Sequence, residues 1–303
     1  MTRLYTDDAE LYDIAFDWDI SDEADWLVAR LEATRVLEPG CGGGRMLEAL
    51  ADRGCKVAGI DRSARMVEIA RRRLGTRADV FEADMTHFDL GTTFDGAVCP
   101  INTLLHLSSA ELDRHLHRMA RHLEPRARYL VQVGLVGAEQ EPFAGSHWEA
   151  SRGDTSLRVD WVDEELDVVQ GSSRQRSRIE VLTGSRAGEV VEEVHEMTAW
   201  TPATWAEAIA ASPFEEAATY DGGTNAQWPQ VDATATADCS GTSSWCEADP
   251  GVRRLPFGTS RAEPRLEELG SDPCRSGPVG TRGDGARWET TGSVFGPLRT
   301  ELG

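Results

Sequence analysis

A glycine-rich stretch directly after an apolar run is the first feature of this sequence that could do chemistry. In the segment RVLEPGCGGGRML, residues 35–47, Glu38 ends the apolar run, and Gly40, Gly42 and Gly44 follow at alternate positions. Glycine lets a backbone turn tightly and approach a ligand without a Cβ in the way. The stretch therefore predicts a ligand-binding turn, of a type that nicotinamide and flavin proteins also use.

The spacing of these glycines separates two kinds of ligand. The dinucleotide pattern G-x-G-x-x-G, started at Gly40, needs a glycine where the chain has Arg45. The residues instead follow E-x-G-x-G-x-G. Acidic residues also follow the next two apolar runs, Asp61 in VAGIDRSARM and Asp84 in FEADM. Three successive runs thus end in a carboxylate.

This arrangement resembles the class I S-adenosylmethionine-dependent methyltransferases. The first motif is similar to residues 35–47, the second to 57–66, the third to 81–85, and the fourth to FDGAVCPINTLLHL, residues 94–107. All four occur in the family's order and at predicted strand ends, which makes chance agreement improbable. The chain is identified as a member of this family, of the small-molecule, glycine N-methyltransferase-like type, over residues 5–221.

The resemblance implies a set of cofactor-binding residues. The Gly40–Gly44 turn would pass under the methionine part of S-adenosylmethionine, and Glu38 would hold its amino group. Asp61 would accept hydrogen bonds from both ribose hydroxyls, for which a carboxylate has enough acceptor sites. The remaining implied contacts are Met66 and Asp84 near the adenine, the Met85 backbone N–H on the ring, Tyr12 folded over the cofactor, and Cys99 near it.

Histidines supply one candidate for acid–base chemistry. His106 follows the predicted fourth strand, where this family often places groups that face the substrate, and it is our candidate for a catalytic base. His115, His117 and His122 share one predicted helix at a spacing that builds no metal site with any Cys or Glu. We expect these three to be solvated or partly packed, and we predict no metal. His147, Trp148 and His195 belong to the insert described below, where we expect ordinary packing, with a place in the lining of the pocket as the alternative.

The elements that position these residues predict a doubly wound α/β fold with a mostly parallel, Rossmann-like sheet. Short apolar runs alternate with amphipathic stretches over a core at 30–135. From 146 to 200 the apolar period changes to two, which predicts an antiparallel β-ribbon inserted after the fifth strand. A helix and a sixth strand are expected at 201–221. The predicted strands are 35–37, 56–60, 78–82, 96–99, 128–133 and 214–220, and the predicted core helices are 45–51, 63–74 and 109–123.

The C-terminal part differs in composition, so we divide the chain into a domain at 1–237 and a tail at 238–303. Gly, Pro and Ser make up 24 of the 66 tail residues. Such a segment has little to bury, which predicts a poorly ordered, low-complexity extension. A shifted reading frame is the alternative explanation. No convincing seventh strand is visible, although Gly241–Ala248 is a degraded candidate.

Charge and composition restrict the partners. The net charge of −21 disfavours broad attraction to nucleic acid or to anionic lipid. Lysine occurs once, at Lys56, in an acidic composition that resembles the proteins of halophiles, and codon bias alone is the alternative. The cysteines show no metal-ligand spacing, and no run is long enough to span a bilayer, so we expect a cytoplasmic protein.

The function predicted from the sequence is methyl transfer from S-adenosylmethionine to a small-molecule acceptor that the sequence does not identify. Two alternatives stay open at this stage. One is a nicotinamide-dependent oxidoreductase of Rossmann type, which Arg45 and the Asp84 segment oppose. The other is a protein that binds S-adenosylmethionine without turnover.

Overall fold

The computed structural model describes residues 2–137, 140–142 and 145–221, and the backbone of two further strands at 242–249 and 296–301. The core alternates strands and helices, as the apolar runs predict. The helices are α1 (Ala9–Ala15), α2 (Ser21–Leu31), α3 (Arg45–Asp52), α4 (Ala64–Leu74), α5 (Ser109–His122) and α6 (Pro202–Ala211). The strands are β1 (Arg35–Pro39), β2 (Lys56–Asp61), β3 (Ala78–Glu82), β4 (Phe94–Cys99), β5 (Leu123–Gly134), β6 (Ser146–Arg152), β7 (Thr155–Asp167), β8 (Ser172–Val181), β9 (Val190–Thr198), β10 (Glu215–Asp221), β11 (Thr242–Asp249) and β12 (Gly296–Glu301).

Five parallel strands form the centre of the main sheet, in the order β3-β2-β1-β4-β5. Strands β1, β2 and β3 follow one another toward one edge of the sheet, whereas β4 and β5 lie on the other side of β1. The loops after β1 and β4 therefore run in opposite directions, and a crevice forms between them. Ligands of open α/β sheets bind at such a switch point, outside the carboxyl ends of the strands. The topology therefore places the residues after β1, β2, β3 and β4 around one crevice.

Successive residues of each strand are apolar and point to opposite faces of the sheet. Helices cover both faces and bury these side chains. Val36, Val57 and Val98 pack with α2, α3 and α4 in one buried cluster. Leu37 and Ala97, their neighbours along the strands, pack with α5 and α6 in another. Two-sided burial explains why the strands are apolar runs without alternation.

The insert after β5 is a four-stranded antiparallel sheet in the order β6-β7-β8-β9. Its apolar face carries Leu157, Val159 and Ile179, which pack against the N-terminal residues Leu4 and Leu11. The Trp148 indole N–H donates to the carbonyl of Ala15 at 2.7 Å and fastens α1 to β6. The N-terminal segment therefore packs on the insert, and the two together cover the crevice.

The predicted fold class is confirmed, with differences at the boundaries. The antiparallel insert follows the fifth strand as expected, and it is a complete sheet in place of a ribbon. Most strands extend one to five residues beyond the predicted limits, because backbone pairing continues after the apolar run stops. The predicted tail lies mostly outside the described residues. Within it, β11 overlaps the degraded seventh-strand candidate, Gly241–Ala248, and pairs antiparallel with β5 and β10.

Among the described residues, none of the helices has both the length and the apolar character that a bilayer crossing requires.

Gly44 provides a test of how the turn after β1 is joined to the helices. Its φ is +79°, and an added Cβ would lie 2.9 Å from Leu74 Cδ1 and 3.0 Å from Ala70 Cβ on α4. Gly54 has a similar φ of +87° but open space around it. We expect Gly54→Ala to lower the free energy of unfolding by about 1 kcal/mol through backbone strain alone. Gly44→Ala should cost about 2–4 kcal/mol, because crowding adds to that strain.

Urea unfolding of both variants measures this difference. Equal losses of stability in the two proteins would show that α4 does not pack against this turn.

Candidate functional site

A cavity of about 460 Å³ opens at the carboxyl ends of the parallel strands. Its size is typical of a small-molecule site. Residues after β1, β2, β3 and β4 line its floor, while α1 and β9 contribute its cover. The cavity is lined by Thr2, Tyr5, Tyr12, Asp13, Phe16, Glu38, Gly40, Cys41, Gly42, Gly43, Arg45, Met46, Asp61, Arg62, Met66, Ala83, Asp84, Met85, Thr86, Pro100, Ile101, Thr103, His106, Leu107, Glu111, Val194, His195 and Glu196.

The glycine turn fits closely between its neighbours. Gly40 has a φ of +69°, and a Cβ there would lie 2.5 Å from Thr103 Cγ2. At Gly42, with a φ of +52°, no heavy atom lies within 4 Å of the position that a Cβ would take. The turn therefore presents bare backbone toward the cavity, and its left-handed conformations explain the alternate glycines. Gly44 does not line the cavity and begins α3 instead.

Asp61 joins the turn after β1 to the start of α4. Its Oδ2 accepts from the Gly42 N–H at 2.9 Å, and its Oδ1 accepts from the Ser63 N–H at 2.8 Å. Burial raises the pKa of Asp61, and these two backbone donors partly oppose that effect. Each carboxylate oxygen keeps a further acceptor site, so Asp61 could accept two more hydrogen bonds from a ligand.

Glu38 is a buried acid that the surrounding protein satisfies only in part. It is 3% exposed and lines the cavity, and its Oε2 has no hydrogen-bond partner among the described residues. Burial raises its pKa well above the usual range, and the charge of Arg45 partly opposes this. A buried carboxylate with an unsatisfied oxygen is costly unless a cation or donor meets it. A ligand ammonium group would supply that partner.

Arg45 carries the opposite charge on the same side of the cavity. Its guanidinium lies 4.4 Å from the Trp18 ring centroid and donates to the Trp18 carbonyl at 3.2 Å. A carboxyl and a guanidinium beside one glycine turn match the ammonium and carboxylate of an amino acid. The methionine part of S-adenosylmethionine has both groups, so the residues present fit this cofactor.

The segment after β3 forms the opposite wall. Thr86 donates to Asp84 Oδ1 from both its N–H, at 2.7 Å, and its hydroxyl, at 2.6 Å. Burial tends to raise the pKa of Asp84, but these hydrogen bonds outweigh it and hold the pKa below the usual value. Asp84 is therefore an ionised acceptor whose other oxygen is available to a ligand. Met85 and Met66 line the same end of the cavity.

Four aromatic side chains meet at the other end. The Tyr5 hydroxyl lies 3.4 Å from His106 Nε2, and the Tyr5 ring packs against His195 with centroids 5.9 Å apart. Burial lowers the pKa of both histidines to about 4, so each imidazole is neutral near pH 7. Tyr12 contacts Tyr5 at 5.0 Å between centroids. This end thus presents neutral nitrogen atoms that can accept a proton.

Ion pairs hold the N-terminal helix α1 over the cavity. The Asp13 carboxylate accepts from Arg73 of α4 at 3.0 Å and from Arg152 of β6 at 2.6 Å. Asp13 also lies against Gly43, where a Cβ would come within 1.9 Å of its Oδ1. Asp13 therefore links this cover to both the core and the insert.

The structure brings together nine of the eleven residues predicted for the site. The other two, Gly44 and Cys99, do not line the cavity, and Cys99 is fully buried below it, with its Sγ 3.6 Å from the carbonyl of Pro39. The nine that line it are His106, Tyr12, Glu38, Gly40, Gly42, Asp61, Met66, Asp84 and Met85.

The expectation for the histidines of α5 needs correction. His117 is exposed, but His115 and His122 are buried and hydrogen-bonded, because both fall on the helix face turned to the sheet. His195 lines the cavity and does more than pack in the insert. Sequence reasoning also missed Tyr5 and did not give Arg45 a site role.

In the described residues no group of three or more His, Cys, Asp or Glu side chains could hold a metal ion.

Comparison with known proteins agrees with this geometry. A family model described as "Methyltransferase domain" matches residues 36–126. The chain is 37% identical over 133 residues to dTDP-3-amino-3,6-dideoxy-alpha-D-glucopyranose N,N-dimethyltransferase of Streptomyces fradiae. That alignment covers 41% of this chain and 52% of the relative, so the chain spans about half the length of that protein.

Solved structures match over a longer stretch. CalS10, an amino pentose methyltransferase from Micromonospora echinaspora, superposes with a TM-score of 0.61 at 22% identity, over 79% of this chain and 96% of that one. The sugar N-methyltransferase KedS8 from Streptoalloteichus sp ATCC 53650 gives 0.63 at 20% identity, over 80% and 92%. At such identities the likeness establishes the fold.

Residues 36–126 match a methyltransferase domain. The resemblance read from the four motifs is therefore confirmed, and the nicotinamide alternative finds no support.

A glutamine at position 38 tests the buried acid. We expect Glu38→Gln to raise the melting temperature of the ligand-free protein, because a neutral amide replaces a carboxylate that burial disfavours. A raised folded-state pKa gives stability that is present below the unfolded pKa and lost as pH rises through the folded pKa. The gain from the variant should thus be larger at pH 8 than at pH 5.

The same variant should bind S-adenosylmethionine about tenfold or more weakly, because a charge-assisted hydrogen bond is lost. Calorimetry measures both effects, with the exposed Glu82→Gln as control. Unchanged affinity, or a gain in stability that does not depend on pH, would contradict this role.

Proposed function

We propose that this protein transfers a methyl group from S-adenosylmethionine to the amino nitrogen of a small molecule, of the amino sugar class. The observation that carries the proposal is the single cavity that joins an amino-acid-binding end at Glu38 and Arg45 to an end lined by neutral histidines. The matched methyltransferase domain supports the reaction type. The named relative that methylates an amino sugar supports the acceptor class.

In this proposal different residues of the chain bind different parts of the cofactor. Glu38 accepts from the ammonium group, and the glycine turn at 40–42 passes beneath the amino-acid part. Asp61 accepts from the ribose hydroxyls, and Asp84 and the Met85 backbone meet the adenine, with Met66 beside it. Tyr12 closes over the cofactor from α1. The bound cofactor supplies a methyl carbon that is already activated by its sulfonium.

The protein's remaining work is alignment and the exclusion of water. The helix α1 and strand β9 cover the cavity, and Tyr5, His106 and Leu107 line the acceptor end. An amine that gains a methyl group also gains a positive charge, so a proton on that nitrogen must leave. His106 is the proposed acceptor for it. Its imidazole is neutral, and its Nε2 lies at the cavity beside the Tyr5 hydroxyl.

The acidic character of the chain fits a cytoplasmic enzyme with a small acceptor better than one that binds nucleic acid. The proposal also requires turnover, which a protein that only binds S-adenosylmethionine would not show.

Labelled S-adenosylmethionine tests the reaction. We expect the purified full chain to methylate dTDP-3-amino-3,6-dideoxy-α-D-glucose at its nitrogen, with mass spectrometry showing a gain of one or two methyl groups. The matched sugar nucleotide with a hydroxyl in place of the amine should gain none. Equal methylation of both would contradict transfer to nitrogen, and tight cofactor binding without turnover on any amino sugar would favour the binding protein.

His106→Gln tests the proton acceptor. A positioned general base contributes on the order of a hundredfold or more, so we expect kcat to fall by about that factor. Because the pKa of His106 is about 4, its neutral form does not change between pH 6 and 8, and the wild-type kcat should show no inflection near 6.5. Rates across this range measure both, with His117→Gln on the surface of α5 as control. An inflection near 6.5 that disappears in His106→Gln would contradict the neutral state.

A further inference from the structure

A buried chain of polar groups lies beneath the cavity floor, outside the set of residues that line it. His115 of α5 is fully buried between two partners. Its Nδ1 lies 3.1 Å from the carbonyl oxygen of Met85, and its Nε2 lies 2.8 Å from the Tyr129 hydroxyl on β5. Tyr129 is also fully buried.

The chemistry of the partners fixes the direction of these hydrogen bonds. A carbonyl oxygen can only accept, so Nδ1 of His115 must carry the proton and donate it to Met85. Burial lowers the pKa of His115 to about 4, so the ring is neutral and Nε2 holds a lone pair. The Tyr129 hydroxyl must then donate to Nε2. A single tautomer of His115 satisfies both neighbours.

The contact with Met85 reaches the cavity through one peptide group. The Met85 carbonyl and the Thr86 N–H belong to the same planar unit and point in opposite directions. His115 holds the carbonyl, while the N–H donates to Asp84 Oδ1 at 2.7 Å. Rotation of this peptide would therefore move the Asp84 carboxylate and the segment that lines the cavity.

We infer that His115 is a positioning residue for the cofactor: its Nδ1–H fixes the Met85–Thr86 peptide, and that peptide orients Asp84 toward the adenine end of the cavity. This inference rests on the proposed function, because it takes S-adenosylmethionine as the ligand of the Asp84 segment.

Two substitutions separate the two ring nitrogens. The amide of His115→Asn can replace Nδ1 and keep a donor for Met85, whereas the amide of His115→Gln can replace Nε2 and keep the partner of Tyr129. We expect His115→Asn to bind S-adenosylhomocysteine within about threefold of wild type. His115→Gln should bind it about tenfold more weakly, the size expected for one lost hydrogen bond that orients a ligand contact. Hydrogen exchange at the Thr86 amide should be faster in His115→Gln alone.

His122 gives a matched control on the same helix. It is also buried, and its Nε2 accepts from the Leu90 N–H at 3.0 Å, in a loop that does not line the cavity. His122→Gln should lower the melting temperature without weakening binding of S-adenosylhomocysteine. Tyr129→Phe provides a milder variant that removes only the hydroxyl, and it should weaken binding about threefold.

Calorimetry below the melting temperature of every variant gives these affinities. Equal weakening by His115→Asn and His115→Gln, wild-type binding by a folded His115→Gln, or equal weakening by His122→Gln would overturn the positioning role. Wild-type protein that fails to bind S-adenosylhomocysteine would instead overturn the proposed function.

Discussion

The Asp61 carboxylate is the interaction on which the cavity depends most directly. One oxygen accepts from the backbone of the glycine turn after β1, and the other accepts from the backbone that begins α4. Because β1 and β2 are parallel and adjacent, this single side chain can join the two loops that follow them. The turn is thereby held open at Gly42, where bare backbone faces the cavity. Its left-handed conformations need glycine, and its position needs Asp61.

Charge is distributed over the cavity in a way that prepares it for a zwitterionic ligand with a nucleoside. Glu38 and Arg45 lie at one end, where Glu38 is buried with one oxygen unsatisfied and Arg45 is half-buried against Trp18. Asp84 is ionised on the opposite wall, where its neighbours stabilise the charge. The histidines at the third side are neutral. Burial acts on all of these groups, and at Asp84 the hydrogen bonds from Thr86 outweigh it and keep the carboxylate charged.

The cover of the cavity comes from parts of the chain that are distant in sequence. The N-terminal helix packs on the inserted sheet through apolar residues, and Asp13 joins it to Arg73 of the core and Arg152 of the insert. Tyr5 from the N-terminus, His106 after β4 and His195 from β9 line the cavity where these parts meet. On the proposed function, acceptor recognition would therefore depend on the assembly of three segments, whereas cofactor binding would lie almost wholly within the matched domain.

The sequence by itself determined the parallel sheet, the order of its elements and most of the cofactor end, because those features follow from local patterns. Apolar runs mark buried strands, glycines mark the left-handed turn, and acids such as Asp61 and Asp84 stand directly after strands. Tertiary structure decided the rest. Helical spacing placed His115 and His122 on one helix with His117, but only packing against β5 shows which of them are buried. Tyr5 and His195 carry no local signal, since neither meets the cavity until the insert folds over the N-terminal segment. Gly44 follows the same pattern as Gly40 and Gly42, yet its space is taken by α4, a contact between elements that no spacing within one segment can reveal.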